Sequence, residues 1–417
     1  MMRSLFAGVS GLRNHQTKMD VIGNNIANVN TTAFKSSRVT FKEAFVQLLQ
    51  GASRPPGNTG GINPIQIGTG MNIASIDQLF TQGSLESTGQ PLDLAISGDA
   101  LFTLSDGPRP VYTRAGNFQL DAQGHLIAPS SGFVVQGINA DATGNFSAGA
   151  AIGPIQLRLG DKSPAKATDL VSLSGNLDSN AATGATHNAS ITVFDSTGGT
   201  QVLQITFTKT ATGAWDWTAS CATAAVTPAG SGTVTFSPTG TLSTFTYPGG
   251  GSSLTMTPAN GAAPLNVAVN AGTINGFDGL ASFANTSNAI INNQNGYQAG
   301  SLQSLSVDPK GVISGYFTNG VTRSLAQVAL AQFTNPSGLL RSGDNTYLES
   351  ANSGNAVVGF AGGTITSSIT PGALEGSNVD ISQEFTNMII AQRGYQADAR
   401  VITTADQMLN EVVNLRQ

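Results

Sequence analysis

Residues 380–396, Asp380-Ile-Ser-Gln-Glu-Phe-Thr-Asn-Met-Ile-Ile-Ala-Gln-Arg-Gly-Tyr-Gln396, open the stretch 380–413 whose periodicity decides the fold. Alternating steps of four and three pass through Ile381, Phe385, Met388, Gln392, Tyr395, Ala399, Ile402, Asp406, Leu409 and Val413. That rhythm is a helix presenting one apolar seam to a partner helix. Asp380 is placed to cap its start, and Gln383 sits where a capping-box side chain would reach back. The single glycine, Gly394, falls off this seam. A lone helix of this kind is unstable until its apolar face is buried, so the stretch demands a partner.

Working outward, the same stepping at the other end of the chain passes through Leu5, Val9, Leu12, Gln16, Met19, Gly23 and Ile26, which predicts a second seam-bearing helix over about 4–27. It gives way to a stretch rich in Asn and Thr, residues that favour caps and turns. At 1.5 Å per residue the two helices are about 35 and about 50 Å long. If both leave one body with their free ends pointing away, they run antiparallel, and the longer keeps apolar surface that the shorter cannot cover.

Between the helices the period changes to two. Gly51, Pro55, Pro56, Gly57, Gly60, Gly61 and Pro64 predict a linker over 51–72. Leu92, Leu94 and Ile96 then alternate with Asp93, Ala95 and Ser97, as in a strand with one buried face. Asp-x-x-Gly recurs at 121–124, 141–144, 195–198 and 308–311, with variants at 210–213 and 237–240, each reading as a type I hairpin tip. The Ala/Thr/Gly-rich middle, with its Trp215/Trp217 pair, reads as a separate inserted β domain. Strands over 302–316 and 321–333 complete the outer one.

The fold class is therefore α+β and mostly β, with antiparallel β domains nested between terminal helices that form a coiled-coil-like helical domain. The expected bounds are 1–28 and 379–417 for the helical domain, 29–72 and 363–378 for connecting segments, 73–147 and 286–362 for the first β domain, and 148–285 for the insert.

Composition narrows the function. Net charge is −5 and only 10% of the 417 residues are charged, against the usual ~25%. Neither a nucleic-acid footprint nor a polybasic membrane patch is present in the sequence. Glycine, 50 residues, is nearly double the usual ~7%. One cysteine, Cys221, excludes an intrachain disulfide framework. No apolar run reaches about 18 residues, so no membrane insertion is expected. No catalytic, metal or cofactor-binding set emerges. His15, His125 and His187 lack companion ligands at metal spacing, phosphate-loop and nucleophile-elbow motifs are missing, and no carboxylate pair is set by spacing.

Asn24-Asn25-Ile26-Ala27-Asn28-Val29-Asn30-Thr31-Thr32-Ala33-Phe34-Lys35 resembles the N-terminal signature of the bacterial flagellar rod and hook proteins. Leu374-Glu375-Gly376-Ser377-Asn378-Val379-Asp380, followed by Gln392-Arg393-Gly394-Tyr395-Gln396-Ala397, is similar to their C-terminal one. Residues 90–98 and Tyr112-Thr113-Arg114-Ala115-Gly116 are similar to the start of their first β domain. The signature positions carried here are Asn25, Ala27, Asn28, Thr31, Phe34, Lys35, Ser377, Asn378, Asp380, Gln392 and Arg393. Asn378 and Asp380 are read as helix caps. Ala33 stands where the family more often has glycine, so a positive φ is not expected there.

The resemblance implies a non-enzymatic subunit without cofactors. It would be exported without a cleaved signal peptide by the flagellar export apparatus, to an extracellular place at the basal body. Large inserts belong to hook members and not to rod members of the family. The implied assembly is thus a homopolymeric, curved hollow tube that transmits torque from rod to filament, beside rod, hook-cap and hook–filament junction proteins. The seam residues Leu5, Val9, Leu12, Met19 and Ile26 of the first helix, and Ile381, Phe385, Met388, Tyr395, Ala399, Ile402, Leu409 and Val413 of the second, are the expected assembly contacts. Two alternatives stay open: a distal rod-type axial protein, and a secreted Gly-rich β protein with an adhesive or enzymatic role.

Overall fold

The computed structural model describes residues 2–52, 61–147, 149–158, 160 and 162–414. Pro55, Pro56, Gly57 and Gly60 of the expected linker lie outside the described residues. Two compact units emerge: Met1–Arg158 with Leu305–Ser314 and Ser324–Gln417, and Leu159–Ser304 with Gly315–Arg323.

The first unit holds both helices, α1 (Met2–Ala27) and α2 (Ile381–Asn414). Asp380 caps α2 as expected, its Oδ1 accepting from the amides of Ser382 at 2.8 Å and Gln383 at 3.1 Å. The return arm of a capping box does not form; the Gln383 amide turns along the helix toward Asn387 instead. At the end of α1, Asn28 Nδ2 donates to the Asn24 carbonyl at 2.9 Å, covering a helix-end acceptor.

In the same unit the main ladder runs through 326–328, 134–139, 101–105, 110–113, 346–348 and 340–343, each strand antiparallel to the next. Leu94, Ile96, Phe102, Leu104, Phe118, Val135, Val328 and Ile369 fill its main core. The strand at 94–97, paired with Ser368–Pro371, departs from the one-face expectation: Ala95 is buried along with Leu94 and Ile96, so both faces are covered.

Much of the expected linker is sheet. Ile65–Gly68 pairs with Val46–Gln50, and Met71–Gln78 pairs with Ser37–Glu43. Ile65 and Ile67 alternate around Gln66 immediately after Pro64, a strand signal of only four residues that the surrounding Gly and Pro mask.

The second unit packs two sheets over one core. Five antiparallel strands at 186–194, 200–211, 214–221, 232–236 and 242–245 form one sheet. The other contains 224–227, 254–258, 265–270, 170–176, 280–281 and 290–294. Residues 170–172 and 175–176 pair in parallel with 268–270 and 280–281, an exception to the antiparallel rule. Trp215 and Trp217 lie buried in the core between the sheets.

All six anticipated hairpin tips carry a glycine with φ between 72° and 86° at the fourth position. In the four Asp-x-x-Gly tips the Asp Oδ1 also accepts two further amides, as Asp308 does from Lys310 at 2.9 Å and Val312 at 2.8 Å. An Asp at the first position thus fixes the turn through its side chain as well as its carbonyl.

Candidate assembly site

The two helices pack antiparallel. Gly8 faces Ile402, Gly11 faces Asp398, His15 faces Gly394, and Asn25 reaches Glu384. Their contact line runs one residue before the expected seams, except at Ile402, which belongs to both. A Cβ on Gly8 would stand 3.1 Å from Ile402, one on Gly11 would overlap the Asp398 carboxylate, and one on Gly394 would stand 2.8 Å from the His15 ring. Ile22, Ala391 and Ala405 are buried along the same line. Gly394, expected off the contact, lies in it. The reason is steric: small residues let two backbones approach closely, and an apolar stripe of larger residues one position on turns by about 100° around the helix.

Many of the larger apolar residues keep exposed surface. Val9, Ile381, Phe385, Tyr395 and Val413 of the expected seams are exposed, and Leu5, Leu12, Met19, Ile26, Met388, Ala399, Ile402 and Leu409 are half-buried. Phe6, Ile389, Ile390, Val401, Met408 and Val412 join the exposed set. Exposed residues of α2 thus fall on both flanks of the α1 contact: Ile381, Phe385 and Ile389 on one side, Ile390, Val401 and Met408 on the other. Gln392 and Asp406 are exposed as well. Large apolar side chains exposed on both flanks of an already paired helix mark interaction surface.

Where the helices meet the sheets, buried charge holds four chain segments together. Lys35 Nζ donates to Glu375 Oε1 at 2.7 Å and to the Thr81 carbonyl at 2.7 Å. Arg114 Nε donates to Glu375 Oε2 at 2.5 Å, and Arg114 also donates to the carbonyls of Ala100 and Ile96. The Gly83 amide donates to Glu375 Oε1 at 2.8 Å. All three side chains are almost wholly buried. Burial pushes the Glu375 carboxyl up, but Arg114 and then Lys35 outweigh it and hold it below the ordinary carboxylate value. For Lys35, burial dominates and lowers its ammonium despite Glu375.

Other signature residues tie neighbouring segments together. Asn25, almost fully buried, exchanges hydrogen bonds with the Ser37 backbone at 2.8 and 3.0 Å. Asn378 does not cap a helix. Its Oδ1 accepts from the Ser36 amide at 2.8 Å and its Nδ2 donates to the Leu79 carbonyl at 2.7 Å, so it ties three segments together. Ser377 Oγ accepts from the Val379 amide. Thr31 donates to Asn28 at 3.0 Å, and Arg341 lies over the buried Phe34 ring at 5.2 Å. Ala27, Gln392 and Arg393 are exposed.

Ala33 corrects another expectation. Its φ is 58°, the left-handed region, although it is not glycine. Its amide donates to the Glu375 carbonyl at 2.8 Å, and Thr31 and Phe34 close a turn around it. That pinning compels the conformation.

Glu375 and Arg114 were missing from the sequence-derived site. Both lie inside the family-like motifs, but a pair 261 residues apart in the chain leaves no spacing signal. Cys221 is half-buried beside Gln201 and Thr223, and no cluster of metal-ligating side chains occurs among the described residues.

Four family models match the chain. Residues 5–35 match "Flagella basal body rod protein", 95–170 match "Flagellar hook protein FlgE/F/G D1 domain", 160–297 match "Flagellar basal body protein FlaE D2 domain", and 370–415 match "Flagellar basal body rod FlgEFG protein C-terminal". The flagellar hook protein FlgE of Borreliella burgdorferi is 39% identical over 100% of both chains. That of Salmonella typhimurium is 34% identical over 99% of this chain and 100% of its own. The flagellar basal-body rod protein FlgG of Bacillus subtilis is 30% identical over 100% of both. A crystal structure of Helicobacter pylori FlgE2 aligns with 68% of this chain and 98% of its own, at 14% identity and a TM-score of 0.49.

Proposed function

The chain belongs to the bacterial flagellar hook protein family, a structural component of the flagellum, and from that premise we propose how its copies assemble. The α1–α2 pair supplies the packing element. Copies meet through the apolar residues that the pair leaves outside, forming a curved hollow tube that transmits torque from rod to filament. The single observation carrying this reading is the exposure of Phe385, Ile389, Ile390, Val401 and Met408 on a helix already paired through another face. An isolated subunit gains nothing from holding them in water; at about 25 cal/mol per Å² of apolar area, association buries what folding leaves open.

The node at Glu375 holds the helix pair to the sheets, so force applied to one is passed to the other within the first unit. The rod, the hook cap and the hook–filament junction are the proposed axial neighbours, and the flagellar export apparatus the proposed route outward. A distal-rod placement remains the second reading, favoured by the full-length match to the Bacillus subtilis rod protein. The 39% identity to a hook protein and the match to the D2 model weigh toward the hook.

Sedimentation of the full chain against concentration tests the proposal. Polymers that appear above a critical concentration, and vanish when residues 380–417 are removed, are expected. Monomers at every concentration in both forms overturn it.

A further inference from the structure

The second unit carries an apolar patch of its own, built on the loop 271–285. Ile274 is 61% exposed, Phe277 68% and Phe283 41%. The two phenyl rings stack on each other, with centroids 6.2 Å apart and planes 15° from parallel. On a loose loop such side chains would fold back onto the body, but here the backbone prevents it. Asp278 accepts from the Thr273 amide at 2.8 Å and from its hydroxyl at 2.6 Å, closing the turn that carries Phe277. The Gly276 amide donates to the Thr273 carbonyl at 2.9 Å, and the Asn275 amide to the Leu242 carbonyl at 2.8 Å. Phe283 is clamped in the same way: its amide donates to Asn176 Oδ1 at 2.7 Å, and its carbonyl accepts from the Ser179 amide at 3.0 Å. Its ring lies on Gly240, where a Cβ would stand 2.7 Å from it. Asp278 is the one charge of the loop. Among the described residues, no ionisable side chain lines the cleft beside Phe283, which Ser179, Thr212, Pro238 and Thr239 help to bound.

We propose that this patch seats a second copy of the chain, in a contact that closes only inside the assembly. The contact presupposes the helix-driven polymer proposed above and adds to it a weak link between copies at Ile274, Phe277 and Phe283. A rigid loop suits that role, because little conformational freedom is lost when the contact closes.

Area selects the occupant. The three side chains leave about 300 Å² of apolar surface open, since a phenyl side chain buries roughly 200 Å² when fully covered. A stable interface takes about 800 Å² from each partner. The patch is therefore too small to hold a free protein or a soluble dimer. A copy already tethered through its helices is different: it meets the patch at high effective concentration, where a small contact suffices. Charge agrees with this. Every copy carries the same net charge of −5, so copies approach most easily where the surface is uncharged.

The test uses the full chain with Cys221→Ser, which removes the one natural thiol, and Ile274→Cys, a probe that leaves both rings in place. Maleimide labelling is timed in monomer and in sedimented polymer. Labelling should be about tenfold slower in polymer, as for a contact closed nine-tenths of the time. Below the polymerisation threshold its rate should not change with concentration. Adding Phe277→Ser should restore fast labelling in polymer, while the tryptophan-detected unfolding of the second unit stays in place. Equal labelling in monomer and polymer overturns this contact alone and leaves the patch to a different partner. Protection that survives Phe277→Ser also overturns it, and so does labelling that slows with concentration below the threshold, the mark of a soluble dimer. Absence of polymer at every concentration overturns the helix-driven assembly, and this contact with it.

Discussion

Lys35 and Glu375, 340 residues apart in the chain, meet at 2.7 Å with almost no solvent on either side chain. Each is tied to a different helix, Lys35 following α1 and Glu375 preceding α2, so their contact fixes where α1 ends and α2 begins relative to the sheets. Removing the acid leaves two buried cations, whereas removing Lys35 leaves Arg114 still paired with the carboxylate. Glu375→Gln should therefore destabilise the first unit by about 3–5 kcal/mol, the range for breaking a buried ion pair, and Lys35→Met by less. Denaturant melts followed by amide exchange over 94–105 and 368–375 check the order. Equal losses in the two variants would refute the unequal sharing.

The same node sets a pH dependence. Glu375 is held below its ordinary value in the folded state, so its contribution is present above the unfolded carboxylate range and is lost as pH falls through the folded value. First-unit stability should fall as pH drops below about 4, and Glu375→Gln should flatten part of that fall. Acid titration of the two proteins side by side measures it.

Ala33 is the position to test for stored strain. A non-glycine residue in the left-handed region costs about 1–2 kcal/mol, and its buried methyl returns about 0.8. Ala33→Gly should thus be neutral or stabilising by up to about 1 kcal/mol, whereas Ala33→Val should cost more than about 2 kcal/mol, since a β-branched side chain fits neither the φ nor the space. Thermal melts of the three proteins discriminate these outcomes.

On the outer flank of α2, Phe385→Ser with Ile389→Ser removes apolar surface that touches no core. Monomer stability should change by less than about 0.5 kcal/mol, as for ordinary surface sites, while the critical concentration for assembly rises about tenfold or more. Gly11→Leu should act in the opposite order. It opens the α1–α2 pair first and lowers helix content before any assembly is measured.

What the sequence disclosed follows its periods. The helices, the hairpin tips and the Asp380 cap were legible because each is a local signal: a rhythm, an Asp-x-x-Gly, a side chain two residues from the amide it holds. The face on which the helices meet was not. Apolarity marked Val9, Phe385 and Tyr395, but close approach selected Gly8, Gly11, Ala391 and Gly394, and smallness is a weaker signal than hydrophobicity. Asn378 looked like a cap because it lies two residues before one; its partners, Ser36 and Leu79, are about 300 residues and more away. Ala33 misled for the same reason. Its left-handed φ is imposed by the Glu375 carbonyl and not by its own preferences.

Asp195 offers a prediction confined to the second unit. It is buried at a hairpin tip, where its Oδ1 accepts from the Thr197 amide, the Thr197 hydroxyl and the Gly199 amide at 2.9, 2.7 and 2.8 Å. Asn260 donates to its Oδ2 at 2.7 Å. Burial alone would push this carboxyl up, but those donors outweigh it and bring it down to about 2. Its contribution, about 2 kcal/mol, is complete above the unfolded value near 4 and disappears as pH falls through about 2. Asp195→Asn should cost about 1–3 kcal/mol at neutral pH, because an amide offers one acceptor oxygen where the carboxylate offers two. That difference should shrink in acid. Both tryptophans of the chain, Trp215 and Trp217, lie in this unit's core, so fluorescence-detected unfolding isolates the effect from the rest of the molecule. A wild-type curve parallel to that of Asp195→Asn from pH 5 to pH 2 would show that the turn carboxylate is not held by its donors.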